Sequence, residues 1–96
     1  MSRATRSMAR TKITHVAIRF QGKVYSLPPP NRHHDVIREI VRLTGVDSVD
    51  NDEQGFLDET GRFLNRQQAI LSARLHNQIR EGSRIVAGLL FSENLW

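Results

Sequence analysis

An α+β fold, with two β-hairpins forming a small, mostly antiparallel sheet packed by two α-helices, is predicted by three features of the sequence. Apolar and polar residues alternate on both sides of Gln21-Gly22. An apolar stripe recurs at helical spacing from Val36 to Leu43, and a second turn signal, Asp58-Glu59-Thr60-Gly61, separates Phe56-Leu57 from Phe63-Leu64. Period two marks strands and period 3.6 marks helices, so the chain switches between the two more than once.

The first hairpin spans Ile13 to Leu27, because Gly22 is suited to the positive φ that a tight two-residue loop demands. Pairing Phe20 with Lys23 sets the register. It places Val16, Ile18, Phe20, Tyr25 and Leu27 on a core face, and His15, Ala17, Arg19, Val24 and Ser26 on a half-polar one. Pro28-Pro29-Pro30 then ends the strand, since proline donates no ladder hydrogen bond. Asn31 is the expected N-cap of a first helix running to Thr44-Gly45, with Val36, Ile37, Ile40, Val41 and Leu43 as its buried stripe.

The segment from Gly45 to Gln54 reads as an acidic connection. Asp50 to Asp58 imitates a calcium loop, with oxygen ligands at alternate positions and Gly55 sixth, but Gly61 stands where the bidentate Glu is needed. An acidic surface turn is the better reading. In the second hairpin, Asp58 opens a type I turn, Gly61 takes its left-handed position, and Arg62 is placed to pair with Asp58. Asn65 and Gln68 form a capping box for a second helix reaching about Ile79, with Ala69, Ile70, Ala73, Leu75 and Ile79 inward. Beyond Glu81-Gly82, Ile85 to Phe91 is apolar enough for a final strand, followed by a tail ending in Trp96. Leu90, Phe91, Leu95 and Trp96 are assigned to docking, on this domain or on a second protomer. A small core makes a homo-oligomer the expectation.

The chain is 96 residues long, so one domain, 13–96, is expected, preceded by a disordered basic arm, 1–12. The formal charge of +4 belongs to that arm: Arg3, Arg6, Arg10 and Lys12 are four of fourteen basic residues, leaving ten against ten acidic ones after it. The arm offers weak, salt-dependent nucleic-acid attachment as one alternative. A hydrophobic content of 39% with 25% charged residues is ordinary for a folded domain. No cysteine occurs, which excludes disulfides and thiolate metal sites. No apolar run approaches the roughly 20 residues of a membrane span, and no secretory segment opens the chain. The cytoplasm is the expected location, with no membrane partner.

Chemistry concentrates at the start of the first helix. Arg32, His33 and His34 fall in its first turn, where backbone N–H groups and the helix dipole favour an anion such as phosphate. Arg62 and Arg66, flanking the second helix start, are expected to assist, and Arg19 is a candidate floor residue from the strand. No cofactor is expected. Zinc is disfavoured, because His33 and His34 are adjacent and point about 100° apart on a helix. No glycine-flanked serine, cysteine nucleophile or glycine-rich phosphate loop supports catalysis. His34-Asp35 is similar to a metal-dependent phosphohydrolase pair, but those enzymes use a larger all-helical scaffold, so a small hydrolase is the last alternative.

The elements Ile18-Arg19-Phe20, Gly22, Val24 to Pro30, Arg32 to Asp35, Gln54 to Leu57, Gly61 to Arg66 and Leu90 to Trp96 together resemble a group of short tailed-phage proteins. The resemblance covers residues 13–96 in segments. In such relatives the second helix begins more acidic and ends with more glycine, where this chain has Gln67-Gln68 and His76-Asn77. Phage proteins of this size imply counter-defence, either by sequestering a nucleotide immune signal or by blocking a host effector. The leading expectation is therefore a non-enzymatic protein that captures a phosphate-bearing ligand. The alternative is a protein-blocking inhibitor that presents the acidic 47–59 face to a host defence complex.

Overall fold

The loop Gln21-Gly22 holds both residues at positive φ, 52° and 80°, the geometry that matches the right-handed twist of flanking strands. It joins β1 (Ile13–Phe20) to β2 (Lys23–Leu27) with Phe20 opposite Lys23, the register expected from the turn. The computed structural model describes residues 12–49 and 53–96. Apart from Lys12, the expected basic arm lies outside the described residues, as do Asp50 and Asp52 of the calcium-like stretch.

After β2 come α1 (His33–Thr44), β3 (Glu53–Asp58), β4 (Phe63–Asn65), α2 (Arg66–Leu75) and a 3₁₀ turn at Ser92–Asn94. The second hairpin pairs Phe56 with Leu64 and Leu57 with Phe63. The two hairpins join through β1 and β3 into one four-stranded antiparallel sheet of order β2-β1-β3-β4. β1 is thus central, and Val16, Ala17 and Ile18 are all fully buried. Its start is irregular: the register shifts between Ile13 and His15. The side-chain amide of Gln78 completes the ladder there, accepting from the Ile13 N–H and donating to the Ile13 carbonyl, both at 2.9 Å. Gln78→Ala orphans both strand groups, so urea unfolding should show a loss of about 1–3 kcal/mol.

Both helices cover the same face of the sheet. Val36 and Ile40 of α1, and Ala69, Ile70 and Ala73 of α2, meet Val16, Ile18, Phe20, Phe56 and Leu64 in a single core. Three boundaries differ from expectation. The N-cap is Arg32 rather than Asn31, because the Asp35 carboxylate accepts the Arg32 N–H at 2.8 Å and fixes the first turn one residue later. α2 stops at Leu75, not Ile79, because Asn77 turns left-handed at φ 54° and sends Gln78 to β1. Leu43 and Leu75, assigned to buried stripes, are 55% and 63% exposed.

The expected C-terminal strand is absent. Ala87 and Gly88 take positive φ, and only a single bridge, Val86 to Leu89, forms around them. The chain then folds back across the core. Leu90 and Leu95 are buried within it, and Asn94 locks the fold-back through bonds to the Ser83 hydroxyl, the Arg84 carbonyl and the Phe91 N–H. Burial that the sequence left open to a second protomer is thus supplied by the same chain.

Candidate functional site

The cavity at the start of α1 is built from both ends of the chain. Asn31 turns back on the proline segment, donating its N–H and its amide to the Pro28 carbonyl at 3.1 and 2.8 Å. The Asn31 carbonyl accepts the Trp96 indole N–H at 2.7 Å, so the tail is pinned beside the helix start. With the entry to α1 held on both sides, Arg32 and His34 emerge toward solvent while His33 turns inward.

His33 is buried, with Nε2 2.8 Å from the Gly55 carbonyl and Nδ1 3.5 Å from Nη2 of Arg66. A carbonyl only accepts and a guanidinium only donates, so these partners assign the neutral Nε2–H tautomer. The ring also meets Phe56 edge-on at 5.1 Å. Its ring nitrogens thus join α1, β3 and α2, and the imidazole helps aim Arg66. Arg66 is steadied further: its Nε donates to the Leu90 carbonyl at 3.1 Å, and its guanidinium lies 4.2 Å above the Phe91 ring. Such stacking leaves a planar donor fork pre-organised for an anion.

The resulting cavity has a volume of about 250 Å³. Arg32, His34, Gln54, Arg66, Phe91 and Glu93 line it, with His33 as its floor. Two guanidiniums, the exposed imidazole of His34 and the buried one of His33 therefore share one concave space with one carboxylate. His34 is exposed and lies 3.4 Å from Asp35, which also approaches Arg38 at 3.7 Å. The Asp35 carboxylate caps the first turn through the Arg32 N–H, so side chains rather than bare backbone supply most of the positive character.

Of the six residues expected to hold a ligand, Arg32, His33, His34 and Arg66 come together here. The other two lie elsewhere. Arg62 places Nη2 3.0 Å from the fully buried carboxylate of Asp58, at the β3–β4 turn. Arg19 lies on the face of the sheet without helices, 3.0 Å from Glu53 and 4.5 Å over the Phe63 ring. Gln54 and Glu93 carried no sequence signal for a site, since Gln54 reaches α1 only through the pairing of β3 with β1, and Glu93 only through the fold-back of the tail. Phe91, expected at an interface, is part of the cavity lining. The acidic 47–59 face is also altered, because Asp58 points inward and Glu53 is paired. Among the described residues, no group of three or more His, Cys, Asp or Glu side chains is placed to hold a metal.

Residues 12–96 match the family described as phage T4 y16D protein. The chain belongs to that family. No curated protein and no solved structure matches it. The y16D match spans every element around the cavity, from β1 to Trp96, so the fold-back that closes the site lies inside the family's own span. As a y16D family member it is a phage protein, and among its described residues no helix is long and apolar enough to cross a membrane.

Proposed function

We propose that this protein captures a phosphate-bearing small molecule, a nucleotide, in the cavity at the start of α1, without catalysing its conversion. The carrying observation is the convergence of Arg32, His34 and Arg66 on one concave surface, with Arg66 already fixed by Leu90, Phe91 and His33. Donors held in place before binding lose little freedom on binding, which is what a sequestering protein requires. In a phage protein, such capture fits removal of a nucleotide immune signal during infection.

A thermal-shift screen of nucleotides tests this reading. A ligand at about 100 times its Kd stabilises the fold by about 2.7 kcal/mol, a rise in Tm on the order of 10 °C for a domain of this size. Arg32→Glu and Arg66→Ala should abolish the rise, and His34→Ala should reduce it. Equal shifts in parent and variants, or no shift with any phosphate compound, would overturn the proposal.

A further inference from the structure

A second cavity, of about 210 Å³, is lined by Arg80, Glu81, Gly82, Ser83 and Glu93. Glu93 lines both cavities. It sits in the middle of the 3₁₀ turn, whose position is fixed by Arg80: the Arg80 N–H donates to the Asn94 carbonyl at 2.7 Å and its Nη1 to the Glu93 carbonyl at 3.4 Å. The Ser83 hydroxyl accepts from the Asn94 amide, which leaves its own proton to donate.

We infer that the two cavities form one trough, and that its ligand is a phosphomonoester whose hydroxyl- or amine-bearing body crosses Glu93 into the second cavity, as a nucleoside 5′-monophosphate would. The inference rests on the anion reading above and narrows it. Three observations carry it, beginning with charge. A phosphomonoester carries about −1.5 to −2 at neutral pH and three terminal oxygens, which suits two guanidiniums and an imidazole. A cyclic phosphodiester has one charge and two free oxygens, and leaves part of that donor set unused. The second observation is Glu93 itself. A carboxylate beside an anion pocket repels free phosphate, and it favours a ligand only where the group next to the phosphate donates hydrogen bonds. The third is size. The first cavity alone, at about 250 Å³, falls below the roughly 300–1,000 Å³ typical of small-molecule sites, whereas the two together fall within it.

Titration calorimetry of the full chain with inorganic phosphate, 5′-AMP and 3′,5′-cyclic AMP tests the inference, on the parent and on Glu93→Gln and Glu81→Gln. In the parent, 5′-AMP should bind at least about tenfold more tightly than either other probe, the effect of one hydrogen bond to a charged group. Glu93→Gln should cut across the series. Inorganic phosphate gains affinity because the repelling charge is gone, while 5′-AMP exchanges a charged acceptor for a weaker neutral one, so the preference shrinks. Glu81→Gln should weaken 5′-AMP alone. If all three probes bind equally, or if Glu93→Gln leaves their ratio unchanged, the trough inference falls while the anion site stands. If neither phosphate nor 5′-AMP binds the parent at millimolar concentration, the anion reading falls and takes the inference with it.

Discussion

Replacing Asp58 by alanine should cost about 3–5 kcal/mol of folding stability, the loss expected when one partner of a buried ion pair is removed. The carboxylate is fully buried, and Oδ1 accepts from the Thr60 N–H at 2.9 Å, from the Thr60 hydroxyl and from the Arg62 N–H at 3.0 Å. Oδ2 faces Nη2 of Arg62. Alanine would strand those donors together with a guanidinium whose Nε and Nη2 are both buried without a hydrogen-bond partner, so that the Asp58 charge is what compensates them. Against a total stability of about 5–15 kcal/mol, such a loss leaves little margin. Urea unfolding provides the measurement, and Asp58→Ala combined with Arg62→Ala should cost less than the two single changes added. A loss below about 1 kcal/mol would mean that water already satisfies this turn.

Gly55→Ala is expected to damage fold and site together. A β-carbon there would stand 2.1 Å from the Leu64 carbonyl oxygen and 2.7 Å from the Phe63 ring, so β4 must move away from β3. Overpacking of this kind costs about 1–3 kcal/mol, and a backbone atom cannot yield as a side chain can. The same residue presents the carbonyl that holds His33, and through His33 the aim of Arg66. Affinity for phosphate should therefore fall in the fraction that remains folded, as NMR titration at reduced temperature would show. His33→Ala is the matched control: it removes the donor and leaves the strands alone, so it should weaken phosphate binding with a smaller loss of β3–β4 order. Unchanged affinity in both variants would mean that Arg66 needs no such support.

Local chemistry made much of the fold legible. Gln21-Gly22 and Asp58 to Gly61 set two registers because their backbone geometry is demanded within a few residues. Asn65 and Gln68 announced α2 through reciprocal hydrogen bonds, which the structure contains. Pairing of β1 with β3 was not legible, since it depends on partners some forty residues apart and no turn encodes it. The apolar run from Ile85 to Phe91 misled for a related reason: period and composition suit a strand, but no sheet edge receives it and Ala87-Gly88 turns it round. At the site, Arg32, His34 and Arg66 could be found because a helix start is a local feature. Gln54, Glu93 and the second cavity could not, because they meet α1 only through long-range folding.

The bond between Trp96 and Asn31 joins residues 65 apart in sequence. A nascent chain emerges from the ribosome in order, so β1, β2 and α1 are exposed well before the segment that closes over them has been made. Contacts of such separation slow folding, because a long loop must be ordered before they form. The hairpins can pair early, but the cavity gains Phe91 and Glu93 late in synthesis. Competence to capture a ligand should then lag behind the appearance of sheet structure during translation.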